Sequence, residues 1–206
     1  MAAPTDIRTL GWAAAWMCVT FTRGLTPEEV FTRYGADPAQ ARTLAADDAP
    51  GDGTAPLLRS GRLNGWTFCV EEDGATGSWH ETLTALSRGT ETYSVLTTDG
   101  LDVFQHWRDG TCVENFEPGM EHTRPDHPTP WWNRTEAALA EHAGTDAGMA
   151  PVVALLLDHL GITLTDTTLA GPWPTLTLTE DTTPPAPRGD TYAGEGPVPP
   201  GTPLVF

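Results

Sequence analysis

The sequence predicts an α+β domain: a mainly antiparallel sheet with helices packed on one face, followed by a Pro/Gly-rich C-terminal extension. Three observations carry this reading. Between Leu57 and Glu117, five short segments rich in apolar and β-branched residues are punctuated by Asn64-Gly65, Thr98-Asp99-Gly100 and Asp109-Gly110, the chemistry of tight hairpin turns. Segments of helical period with recognisable caps lie before, between and after them. From 181 to 206, eleven of the 26 residues are Pro or Gly, which places the boundary between one domain (1–180) and a tail (181–206).

Taken in order, residues 5–16 predict a short helix, capped by Thr5 or Asp6, with Ile7, Leu10 and Ala14 on one face. Cys18 to Thr22 reads as a strand in which Val19 and Phe21 alternate with Thr20 and Thr22. Gly24 permits a turn; Thr26, Pro27 and Glu29 then form a capping box that starts a helix running to about Tyr34, with Gly35 as its stop. Asp37-Pro38 opens a further helix to about Ala46, and residues 45–56 are loop. Leu57–Leu63 and Trp66–Glu72 are strands, Ser78 caps a helix over Trp79–Ser87, and Thr90–Thr97, Leu101–Arg108 and Thr111–Glu117 are strands. Helices follow from Trp132 or Asn133 to His142 and from Ala150 to Leu160, and Ile162, Leu164, Leu176 and Leu178 offer short strands. The tail is extended unless Leu204-Val205-Phe206 docks somewhere.

Composition narrows the function classes. The 206 residues suffice for one domain with a real core, and 39% hydrophobic content with eight tryptophans excludes a wholly disordered chain. All eleven basic residues are Arg and the formal net charge is -17. Lys-free usage rich in Ala, Gly, Pro and Thr fits a gene from a high-GC bacterium. The acidic balance argues against nucleic acid and anionic membranes as partners and favours a basic one. No segment is apolar for long enough to predict a transmembrane helix, and the first twenty residues lack the basic start of a signal peptide. Cys18, Cys69 and Cys112, widely spaced and odd in number, suit reduced thiols in a cytoplasm.

Candidate chemistry is sparse. Glu28 and Glu29 are adjacent on a helix and point about 100° apart, so they serve the helix N-terminus rather than one substrate atom. Arg23, at a strand end before a glycine, can receive a carboxylate or phosphate, or make a structural ion pair. Glu71-Glu72-Asp73 reads as a solvated turn. Glu121, His122, Asp126 and His127 bear metal-ligand types, but they lie on a Pro-rich loop with no strong zinc spacing. Trp131 and Trp132 follow that loop and read either as recognition anchors or as packing over the sheet. No nucleophile motif, Walker A or dinucleotide fingerprint occurs, so no catalytic, metal or cofactor residue is assigned.

The stretch WAAAWMCVTFTRGLTPEEVFTRYGA, with the later GRLNGWTFCVEEDG, LSRGTETYSV and FEPG, resembles an actinobacterial domain-of-unknown-function family over about residues 8–160. That family carries no assigned catalytic residues to transfer. The architecture and acidity are also loosely similar to the immunity proteins of bacterial toxin systems, a likeness of those two properties only.

The resulting expectation is a non-enzymatic, cytoplasmic, acidic binding protein, immunity-like, that recognises a basic protein partner through Arg23, Trp107, Trp131 and Trp132. Two alternatives stand beside it: a metal-assisted hydrolase using His122, Asp126 and His127, and a scaffold subunit that docks through its tail.

Overall fold

The computed structural model describes residues 4–14, 16–48, 55–127 and 129–178. The strands are β1 (Met17–Arg23), β2 (Arg42–Leu44), β3 (Leu57–Leu63), β4 (Trp66–Glu72), β5 (Glu91–Thr97), β6 (Asp102–Arg108), β7 (Thr111–Phe116) and β8 (Trp173–Thr177). The helices are α1 (Pro27–Arg33), α2 (His80–Ser87), α3 (Pro130–Glu141), α4 (Ala150–Leu160) and α5 (Asp166–Leu169). One eight-stranded sheet of order β2-β8-β3-β4-β1-β5-β6-β7 holds them, with every neighbouring pair antiparallel. The α+β class with a mainly antiparallel sheet is therefore observed.

Helices cover both faces of this sheet rather than one. On the first face Met17, Val19 and Phe21 of β1 join Phe68, Val70, Tyr93, Val95, Phe104 and Phe116 under α3 and α4. On the second, Leu58, Cys69, Trp107 and Leu176 pack with Val30 and Phe31 of α1 and Leu83 and Leu86 of α2. The alternation in β1 marks two buried faces because its threonines find partners: Thr22 Oγ1 meets Thr92 Oγ1 at 3.1 Å, and Thr20 Oγ1 meets the Tyr34 hydroxyl at 3.2 Å. A hydroxyl that is hydrogen-bonded inside the protein can be buried at little cost, so a polar residue at alternate positions need not face water.

Several local expectations change under tertiary packing. In place of the one helix expected over 5–16, the described residues there form two 3-10 turns, Ile7–Thr9 and Gly11–Ala14. Asp37 caps a single turn over Pro38–Gln40, after which the chain becomes β2 and pairs with β8. Ile162 and Leu164 are core residues outside any strand. Gly61 is where the sheet admits a ring: a Cβ there would lie 2.4 Å from Trp173 Cε3.

Candidate functional site

The antiparallel register gives the sheet two ends with different chemistry. At one end β1 finishes, β5 begins and β6 finishes, with Arg23 opposite Trp66 and Glu91 opposite Arg108. At the other end β1 begins, with Met17 opposite both Glu72 and Thr97, and β7 finishes at Phe116 opposite Phe104.

The first is the arginine end, with Arg23 and Arg108 at the ends of β1 and β6. Its centre is Glu91, whose Oε1 accepts from His106 Nε2 at 2.8 Å, Arg108 Nη2 at 2.8 Å and the Tyr93 hydroxyl at 3.2 Å. The period of two puts Glu91 and Tyr93 on one face of β5, and His106 and Arg108 beside them on β6. Tyr93 stacks on His106 with ring centroids 4.4 Å apart, and His159 of α4 meets Trp131 edge-on at 4.9 Å, while Arg134 lies 4.6 Å over the Trp131 ring. Burial pushes the Glu91 carboxyl up, but the Arg108 and His106 bonds together outweigh it and hold the group below its usual range. Burial lowers His106 despite the Glu91 bond, and burial then Arg134 lower His159. Burial thus favours the neutral form of both rings, and in that form the Glu91 carboxylate at 2.8 Å selects the His106 tautomer that carries its proton on Nε2.

Arg23 stands beside this network. It is exposed, follows the last core residue of β1, and lines a shallow cleft of about 430 Å³ with Gly89, Thr90, Glu91, Arg108 and Asp109. Gly24, at φ 76°, turns the chain away and donates to Gly65 O at 2.9 Å, while Thr90 Oγ1 donates to Arg23 O at 2.7 Å. The backbone at Arg23 is thus pinned, and its guanidinium has no hydrogen-bond or ion-pair partner among the described residues.

The second end is acidic and apolar. Trp16, Trp79 and Met120 are each 50% exposed and Leu101 is 42% exposed, and all four lie in the segments that close this end. Segments 72–79, 97–102 and 117–124 carry six carboxylates and one arginine, Arg124, which bonds Glu121 at 3.0 Å. Between them runs a groove of about 350 Å³ lined by Ser78, Leu96, Leu101, Val103, Gln105, Asn115, Phe116, Glu117 and Thr123. Gln105 and Asn115 are cross-strand partners, and Gln105 Oε1 is a buried acceptor with no partner among the described residues. Beneath the end, fully buried Glu71 ties down the turn that presents Trp79: its two oxygens accept from Thr76 N at 2.9 Å and Gly77 N at 2.8 Å. Burial raises its pKa, against those two bonds. The reading of Glu71 as part of a solvated turn gives way here, because this carboxylate is the cap of a buried 3-10 turn over Thr76–Ser78.

The expected site residues fall in different places. Of Arg23, Trp107, Trp131 and Trp132, Arg23 alone is exposed; the three tryptophans are buried. Trp131 packs on Tyr93 and Phe104, Trp132 on Phe116, and Trp107 against His80. The packing alternative for Trp131 and Trp132 is the one observed, because α3 starts at Pro130 and turns both rings onto the sheet. The capping box is observed in full, with Thr26 N donating to Glu29 Oε2 at 2.7 Å, so Glu29 belongs to the helix. His122, Asp126 and His127 are not gathered: among the described residues, no group of three or more potential metal-ligating side chains comes together. Leu204-Val205-Phe206 lies outside the described residues. Sequence reasoning missed Glu91, Tyr93, His106 and Arg108 as a unit; the signal was their i, i+2 spacing on two strands of one hairpin. It also missed Trp16 and Trp79, which flank regular elements and follow no period.

Among the described residues, no helix is long and apolar enough to cross a membrane. The class that fold and surface define is an acidic α+β domain with an eight-stranded antiparallel sheet covered on both faces. Residues 6–170 match a family of unknown function, DUF6461, and the chain belongs to that family. Comparisons with curated proteins and with solved structures found no match.

Proposed function

We propose that this chain is a non-enzymatic, cytoplasmic binding protein, immunity-like in covering a basic protein partner with its acidic end. The supporting observation is the coincidence there of four exposed large apolar side chains with six carboxylates and one paired arginine. Carboxylates around the patch attract and orient a basic surface, and the apolar side chains supply the area whose burial holds the complex. The partner this surface fits presents apolar residues flanked by Lys or Arg, with a hydrogen-bond donor for the orphaned Gln105 Oε1. Trp16 and Trp79 take the anchor role in this reading, and Cys112, an exposed free thiol, suits a reducing compartment.

The test is co-purification from the native host with wild type and with Trp16→Ala/Trp79→Ala, each checked for an unchanged melting temperature. Wild type should retain a basic protein that the double variant loses by at least tenfold in affinity, about 1.4 kcal/mol. A partner held equally well by both proteins removes the reading.

A further inference from the structure

We propose that the cleft at the arginine end is a binding site for a small carboxylate that carries a hydrogen-bond donor beside it, such as an α-amino or α-hydroxy acid. This rests on the arginine end alone and is independent of the partner reading above.

The donors come first. Each guanidinium has five N–H groups in a rigid fork. Arg108 commits one, through Nη2, to Glu91, and Arg23 commits none among the described residues. Nine of the ten N–H groups on these two side chains therefore have no acceptor among the described residues, and both residues line the same cleft. Arg23 at the end of β1 and Arg108 at the end of β6 flank the start of β5, where Glu91 stands. Guanidiniums on either side of one strand end are suited to holding a single anion between them. Their backbones are rigid: Thr90 Oγ1 holds Arg23 O, Asp109 N donates to Thr90 O at 2.9 Å, and Gly89 N donates to Asp109 Oδ1 at 2.9 Å.

The acceptors decide which anion. Glu91 and Asp109 line the same cleft, so two carboxylates balance the two arginines. Glu91 receives its three bonds at Oε1, which leaves Oε2 open, and Asp109 receives Gly89 N–H at Oδ1, which leaves Oδ2 open. A dianion such as phosphate would be repelled by those two charges, whereas a monocarboxylate with a neighbouring ammonium or hydroxyl satisfies both the forks and the open oxygens. A cleft of about 430 Å³ admits a molecule of that size.

The experiment is an amide chemical-shift titration of the full chain with glycine, acetate and inorganic phosphate at fixed pH and ionic strength. Glycine should give saturable shifts at Gly24, Gly89, Thr90 and Asp109, with acetate weaker and phosphate weakest. Arg23→Ala should weaken glycine binding about tenfold or more, the order expected for removing a charge-assisted fork. Arg62→Ala, outside the cleft lining, should leave it unchanged. The melting temperature of Arg23→Ala should equal wild type, which separates lost binding from lost folding. Phosphate binding as tightly as glycine, acetate matching glycine, no saturable shift with any of the three, or shifts indifferent to Arg23→Ala would each overturn the assignment.

Discussion

The two ends of one sheet solve opposite problems. At the arginine end, charge is balanced: segments 23–29, 62–66, 87–91 and 108–111 carry four arginines and four carboxylates, and Glu91 alone collects three donors. At the acidic end charge is unbalanced and apolar side chains stay exposed. A paired network rigidifies and specifies; an unbalanced rim around exposed apolar groups attracts and awaits a cover. The same strands run through both, so the difference lies in the turns. Asn64-Gly65, Gly89 and Asp109-Gly110 hold the arginine end tightly, whereas the acidic end is closed by longer segments that carry Trp79, Leu101 and Met120 outward.

The largest test separates tryptophans by location. Trp131→Ala removes a ring packed on Tyr93 and Phe104 and should cost about 3–5 kcal/mol in chemical denaturation. Trp79→Ala at the acidic end should stay within about 0.5 kcal/mol of wild type. Equal costs would mean that Trp79 is structural and the contrast between the ends is misdrawn.

Glu71→Gln sharpens the acidic end. The amide replaces one acceptor oxygen by a donor that faces the N–H of Thr76 or Gly77, so one backbone group is left unpaired. Stability should fall by about 1–3 kcal/mol, and amide exchange should accelerate first over Thr76–Trp79. Unaltered protection there would detach Glu71 from the turn that carries Trp79.

Acid tests the arginine end. The folded pKa of Glu91 is depressed, so its contribution is complete above the unfolded carboxyl value of about 4.3 and is lost as pH falls through the folded one. His106 is likewise depressed, because the fold favours the neutral ring; protonation of the unfolded chain below about pH 6.5 then drains stability. His106→Gln should therefore show a shallower loss of melting temperature than wild type between about pH 7 and pH 5. Parallel curves would mean that His106 titrates as freely in the fold as outside it. Glu71 and Glu114 are raised by burial and act with the opposite sign, losing their contribution as pH rises from about 4.5 through their folded values.

The smallest effect is Arg23→Ala on stability, expected within about 0.5 kcal/mol because the side chain is exposed and touches no described partner. A larger loss, measured in the same denaturation assay, would place Arg23 inside the paired network.

Much of the fold was legible. The strands from Leu57 to Phe116, the capping box at Thr26–Glu29 and the helix Ala150–Leu160 all stand within a residue or two of their sequence readings, because each rests on contacts within a few positions. The site was less legible. Arg23 was singled out because no capping or period explained it, and it remains without a partner among the described residues. Trp131 and Trp132 were read two ways because an aromatic pair after a Pro-rich loop looks the same before and after it is folded onto a sheet.

What the sequence determined by itself is local: turn chemistry, capping, period and net charge, each set by steric and hydrogen-bonding rules over a few residues. The tertiary structure decided the rest. Residues 42–44 became β2 because β8, more than a hundred positions away, offered an edge with open hydrogen bonds. Thr20 and Thr22 could be buried because Tyr34 and Thr92 were brought opposite them. Glu91, Tyr93, His106 and Arg108 became one network through hairpin register, and Trp16, Trp79, Leu101 and Met120 came to one end through strand direction. Burial and convergence depend on which distant residues fill the space, and no short window of sequence contains that information.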